Sequence, residues 1–127
     1  SVRDVKVITD EPLERGGTNV GASPTETMMA ALVGCTNNVA TRIAHHQKLN
    51  FEIASIECDV EFDRRGVILA KPIDVPFPNI TLTINVKTDA TPEQLAEVEK
   101  MLPIYCPVSK VFREAGTNVV EKWNVVS

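Results

Sequence analysis

The sequence predicts an α+β domain, and three observations carry that reading. A run from Pro24 to about Lys48 repeats apolar residues at helical spacing. Two later stretches, 56–63 and 80–87, alternate apolar and polar residues as half-buried strands do. Two further helix starts then precede a last β-rich stretch, so helices and strands are segregated rather than strictly alternating. The expected order is β, loop, long α, ββ, αα, β. With 127 residues, 43% of them hydrophobic, the chain suits one domain spanning 1–127, large enough to bury roughly two-thirds of its unfolded surface. No repeat or linker divides it.

Val5 and Val7 flank Lys6 in a strand-like opening. The stretch from Asp10 to Gly21, with Pro12, Gly16 and Gly17, reads as a loop. It ends in Ser23-Pro24-Thr25-Glu26, a capping box with proline at the first helical position. In the helix that follows, Met28, Leu32, Cys35, Val39, Ile43 and His46 recur at spacings of three and four. Its other faces carry Ala30, Ala31, Gly34, Ala40 and Ala44. Small residues on those faces allow close packing on more than one side, so a central buried helix is expected, packed also against a second subunit.

In the first alternating stretch Ile56, Cys58, Val60 and Phe62 oppose Glu57, Asp59, Glu61 and Asp63; in the second Ile80, Leu82, Ile84 and Val86 oppose Thr81, Thr83, Asn85 and Lys87. Lys71 to Pro78 holds three prolines and leaves no room for a long helix between the strands, which are therefore expected as antiparallel neighbours in an antiparallel sheet. Thr91-Pro92-Glu93-Gln94 is a second capping box, opening a helix with Leu95, Val98 and Leu102 inward and Pro103 at its end. Cys106-Pro107-Val108-Ser109 opens a third helix, packed through Val108, Val111 and Phe112 and stopping near Gly116. The last strand, Val119 to Val126, carries the single tryptophan, Trp123.

Thirteen Lys and Arg against seventeen Asp and Glu, with signs interspersed, no basic run and few aromatics, argue against a nucleic-acid partner. No apolar run approaches the roughly 18 residues of a membrane span, and no signal-peptide pattern opens the chain, so no membrane association and a cytoplasmic location are expected. Three cysteines without a CxxC pair suit neither a disulfide scaffold nor a zinc ribbon.

The chemistry therefore rests on separate cysteines. Cys58, on the apolar face of a strand, reads as a small core hydrophobe. Cys106 sits beside a helix N-terminus, where unpaired N–H groups and the helix dipole favour thiolate; a structural helix-start cysteine reads equally well from position alone. Cys35 falls mid-helix on the inward stripe, and burial by itself would make it inert unless a cation or donor lies near. Arg15, in the preceding loop, is the available cation. Glu26 is explained by its capping box, and nine residues place it on the opposite helix face from Cys35. His45 and His46 suit the end of a helix dipole better than a metal site, since no second ligand stands four residues away.

The segment Ser23-Pro-Thr-Glu-Thr-Met-Met-Ala-Ala-Leu-Val-Gly-Cys35 resembles the cysteine-helix signature of the OsmC/Ohr family, the osmotically inducible and organic hydroperoxide resistance proteins. Tyr105-Cys-Pro-Val-Ser109 resembles that family's second cysteine motif, in the right order and about 70 residues on. The resemblance runs from about Arg15 to the end of the chain. It implies the OsmC-like fold, an intertwined homodimer around central cysteine helices, and an active site at the subunit interface.

For function it implies a thiol peroxidase with Cys35 peroxidatic, Cys106 resolving, and Arg15 as the loop arginine that lowers the Cys35 pKa and orients the peroxide. An organic hydroperoxide is then the substrate, an external dithiol the reductant, and neither metal nor organic cofactor is needed. Met28, Met29, Leu32 and Phe112 are expected to favour an organic hydroperoxide over hydrogen peroxide by enclosing it. The family's acidic partner follows the proline directly, where this chain has Thr25; Glu26, one later, is the candidate substitute. Only 14 residues precede Arg15, so part of an N-terminal sheet is expected to be missing. The rival reading is a non-catalytic relative that binds a small apolar ligand at the dimer interface.

Overall fold

The computed structural model describes residues 3–127. It divides within its longest helix into two compact units, the first ending at Leu32 and the second running from Val33 to Ser127. That helix, α1, spans Pro24–His46.

In the first unit the expected opening strand does not form. Val5 and Val7 are 50% and 65% exposed, and among the described residues the segment shows isolated bridge positions alone, Val5 and the Thr9–Ala22 pair. A strand needs a continuous ladder partner for its N–H and C=O groups, and isolated bridges do not supply one. The loop after it is ordered from inside by Asp10. Its carboxylate accepts from the Glu11 amide at 2.8 Å, the Thr18 amide at 3.2 Å, the Val20 amide at 3.1 Å and the Thr18 hydroxyl. A short 3-10 turn, Leu13–Arg15, is closed by Gly16 at φ 86°, a left-handed conformation that suits glycine. The capping box then starts α1 as expected: Ser23 N–H donates to Glu26 Oε1 at 2.8 Å, and Glu26 N–H to Ser23 Oγ at 3.2 Å.

The buried stripe of α1 is rotated from the expected one. Leu32, Thr36, Ala40, Ile43 and Ala44 are buried, Cys35 and Val39 are half-buried, and Met28 and His46 are exposed. Small side chains lie inward because this face meets the core closely: Ala40, Ile43 and Ala44 join Phe51, Val86, Val98, Leu102 and Cys106 in one apolar cluster. Within a single chain the remaining face, with Gly34, Asn37, Asn38 and His45, is exposed, so α1 is covered along one side.

Three strands form one sheet in the order β1 (Phe51–Val60), β2 (Asn79–Thr88), β3 (Asn118–Val125). β1 and β2 pair antiparallel, with a bulge between Ile53 and Ser55. The bulge shifts the strand's parity by one, so Phe51 and Ile53 before it and Ile56 and Cys58 after it serve the same face. Opposite them Ile80, Leu82, Ile84 and Val86 are fully buried. Phe62 falls outside β1 and stacks on Phe77, ring centroids 5.1 Å apart.

The sheet is mixed rather than purely antiparallel, because β3 runs parallel to β2. The cause is the connection: helices α2 (Pro92–Tyr105) and α3 (Pro107–Glu114) carry the chain back across the sheet before β3 begins. The Thr91–Gln94 capping box is present, and Val98 and Leu102 are buried. Pro103 does not end α2, which continues to Tyr105. Proline here deletes a single hydrogen bond in the last turn, and the Cys106 amide still reaches the Leu102 carbonyl at 2.9 Å. In α3, Ser109 and Phe112 are buried, whereas Val111 is 65% exposed and takes no part in the packing expected of it. Gly116, at φ 95°, turns the chain into β3.

Candidate functional site

Cys35 and Cys106 meet. Cys106 is the single residue between α2 and α3, at once the last cap of one and the first cap of the other, with φ −77° and ψ 108°. Extended backbone at that point ends α2, and Pro107 restarts the chain as α3. Its side chain is fully buried, and its Sγ donates to the half-buried Cys35 Sγ at 3.3 Å. An S–S bond is about 2.0 Å long, so bond formation requires an approach of about 1.3 Å.

Burial pushes the Cys106 thiol up from its ordinary value, and the hydrogen bond and charge of Cys35 push the same way. The Ser109 and Val108 amides, at the start of α3, act in the opposite sense. The helix-start amides thus act in the sense anticipated from the sequence, but none makes a cap hydrogen bond to the Cys106 side chain, and desolvation outweighs them. Cys106 keeps its proton and is the donor of the pair. Cys58 lies on β1 opposite Leu82, half-buried, its thiol also pushed up by burial, as a core cysteine should be.

Arg15 closes the 3-10 turn, and its Nε donates to Glu11 Oε2 at 2.7 Å. That bond, with the charges of Glu11, Glu14 and Glu26 around it, holds the guanidinium firmly protonated. The carboxylate bound to Arg15 is thus Glu11, a residue the sequence reading passed over; its i, i+4 spacing to Arg15 was the available signal. Glu26 is held well within its capping box, and the Ser23 amide keeps its carboxyl below the usual value.

Beside the thiols, a groove of about 440 Å³ runs between α1 and the end of α2, lined by Val39, Arg42, Ile43, His46, Met101 and Tyr105. Val39 is one helical turn beyond Cys35, and Tyr105 directly precedes Cys106. The side chains expected to form the pocket differ in setting: Met28 is 44% exposed, Leu32 is fully buried, and Phe112 packs edge-on against Phe77 at 5.8 Å.

The family model described as OsmC-like protein matches residues 16–122. The chain belongs to the OsmC-like family. Solved members share the fold. An OsmC-like protein from Mycoplasma pneumoniae aligns with a TM-score of 0.68 at 15% identity, covering 92% of this chain and 79% of that one. An organic hydroperoxide resistance protein from Legionella pneumophila gives 0.59 at 21% identity, with 98% and 83% covered. The organic hydroperoxide resistance protein OhrB of Bacillus subtilis gives 0.52 at 23% identity, with 85% and 73% covered. No curated protein matches the chain in sequence. No helix among the described residues is long and apolar enough to cross a membrane.

Proposed function

We propose that this OsmC-like protein is a thiol-dependent peroxidase that reduces organic hydroperoxides. The observation that carries the proposal is the 3.3 Å approach of Cys106 Sγ to Cys35 Sγ, with Cys106 as donor. Cys35, the accepting sulfur, is the nucleophile. As thiolate it attacks the terminal oxygen of ROOH, the O–O bond breaks, ROH leaves with a proton from solvent, and Cys35 becomes a sulfenic acid. The Cys106 sulfur then attacks Cys35, the hydroxyl leaves as water with the Cys106 proton, and a disulfide remains. An external dithiol reduces it by two exchange steps, becoming a disulfide itself.

Arg15 and Glu26 enter from the family resemblance: Arg15 as the cation that favours thiolate and orients the peroxide, Glu26 as the acidic partner. The Arg15–Glu11 pair supports Glu11 as a competitor for that second role. A homodimer is part of the proposal, supported by the exposed, small and polar face of α1. A cytoplasmic location fits, because a reducing compartment keeps both thiols available.

The test is rapid mixing of reduced protein with an organic hydroperoxide or with hydrogen peroxide while thiol loss is followed. Two thiols should be lost per organic hydroperoxide, and faster than with hydrogen peroxide. The apolar groove of Val39, Ile43 and Met101 favours a second reading, a protein that binds a small apolar ligand without turnover. Thiols that survive a stoichiometric dose of organic hydroperoxide would decide for it.

A further inference from the structure

The connection between β1 and β2 carries a turn that the mechanism above leaves unused. Its base is fixed to the rest of the unit. Phe62 stacks on Phe77 at 5.1 Å, Phe77 packs edge-on against Phe112 of α3, and the Asp63 amide donates to the Pro76 carbonyl at 2.8 Å. From that base one helical turn rises. It is closed by the Ala70 amide on the Arg65 carbonyl at 2.8 Å and the Leu69 amide on the Gly66 carbonyl at 3.0 Å. This is the hydrogen-bond pattern of a glycine-ended helix stop, with leucine where glycine is usual: Leu69 stands at φ 64°.

Packing does not account for that leucine, because it is 90% exposed. Val67 and Ile68 beside it are each 62% exposed. An ordered turn therefore holds three aliphatic side chains in water, one of them on an unfavourable backbone, and that combination marks a contact surface. The charge around the tip is uneven as well. The chain has 13 Lys and Arg against 17 Asp and Glu, yet residues 64–73 hold three of the basic residues and none of the acidic ones. Arg65 is taken up by Asp63, its Nε donating to Oδ1 at 2.9 Å. Arg64 and Lys71 are exposed and have no ion-pair partner among the described residues.

We propose that the tip of Val67, Ile68 and Leu69 enters the interfacial layer of a membrane containing anionic phospholipid, with Arg64 and Lys71 against the headgroups. Three aliphatic side chains on one turn supply far less than the roughly 800 Å² per partner of a stable protein interface. A bilayer boundary needs neither that area nor a complementary pocket, and basic residues beside an apolar insert match an anionic surface. Neither signal holds a protein at a membrane by itself, so attachment is weak and reversible. A surface contact needs no spanning run, so the lack of one, which underlies the expectation of no membrane association, does not bear on this tip. Attachment is independent of the peroxidase reading, and its test reads no activity.

The full chain is sedimented with vesicles of phosphatidylcholine alone and of phosphatidylcholine mixed with phosphatidylserine. Binding to the mixed vesicles only, reversed by raised salt, is the expected result. Leu69→Gly should weaken it at least about tenfold, the scale of one leucine side chain removed from water. The same variant should not lower the urea midpoint, because glycine takes the left-handed conformation freely. Ile68→Ser should act in the same direction on binding. Arg64→Gln and Lys71→Gln should each weaken it about fivefold, the scale of one basic residue at an anionic surface. No binding to mixed vesicles, equal binding to both kinds, or binding unchanged in Leu69→Gly would overturn the proposal. A smaller species for Leu69→Gly in sedimentation velocity, with no vesicle binding by the parent, would assign the tip to a second copy of the chain instead.

Discussion

The sulfur of Cys106 touches that of Cys35 across 71 positions of sequence, and it does so as the hydrogen-bond donor. Neither helix alone explains this. Cys35 is carried by α1, Cys106 by the junction of α2 and α3, and the apolar cluster of Ala40, Ile43, Ala44, Val86, Val98 and Leu102 holds those elements together. Two thiols at the edge of one core form a pair that is unequally buried: Cys35 is half-buried, whereas Cys106 is fully buried and keeps its proton.

Unequal roles should appear in single-cysteine variants. Cys35→Ser should abolish peroxide consumption. Cys106→Ser should consume one equivalent and stop, with a sulfenic acid at Cys35 that a dimedone adduct detects by mass spectrometry. Consumption continuing undiminished in Cys35→Ser would place the reaction elsewhere.

Joining residues 71 positions apart should also change stability. In the chain-entropy account a disulfide closing a loop of this length stabilises by about 4 kcal/mol relative to the reduced chain. Urea unfolding of oxidised and dithiothreitol-treated protein should separate by a few kcal/mol. Cys106→Ser should show no such difference. Coincident curves for the two forms would mean that the bond strains the fold as much as it restrains the unfolded chain.

Thr36, next to Cys35 and fully buried, has a hydroxyl without a hydrogen-bond partner. Replacing such a group by an apolar one of the same shape removes a desolvation penalty. Thr36→Val should therefore raise stability by about 1 kcal/mol, read as a higher urea midpoint at unchanged slope. A lower midpoint would show that the hydroxyl has a partner in solution.

Part of the molecule was legible in the sequence because its determinants are local. Both capping boxes depend on residues three apart, and both are formed. The alternation of Ile80, Leu82, Ile84 and Val86 marks β2 because one face is buried along its whole length. Strand direction was another matter, since alternation looks the same whichever way a neighbour runs; parallel pairing of β3 follows from where two helices deliver the chain. The stripe of α1 was misjudged because hydrophobicity alone ranks Met28 above Ala40 and Ala44, whereas close packing selects the small residues. The thiol pair came from motif resemblance. The full burial of Cys106 needed the structure, because it depends on residues far along the chain.

The loop before α1 should be acid-sensitive. Asp10 accepts from three amides and a hydroxyl, led by the Thr18 hydroxyl, and its carboxyl is held far below the usual range. A depressed folded pKa means that the stabilisation is complete above the ordinary aspartate value of about 3.9 and is lost as pH falls below it. Amide exchange at Thr18 and Val20 should accelerate relative to β2 amides as pH drops through that window. Asp10→Ala should show the same loosening at neutral pH, visible as proteolytic cleavage within residues 10–21. Equal protection of both segments in Asp10→Ala would refute the role.

Finally, Cys106 is the whole of the link between α2 and α3. A sulfur mounted on a one-residue knuckle moves with the angle between the two rods it joins. The 1.3 Å or so that separates contact from bonding can be supplied by a small turn at that joint, with both helices rigid. The relation also works backwards. If the proposed disulfide forms, closing it would act on the same joint, and the oxidation state of the two sulfurs would then be read in the relative direction of two helices.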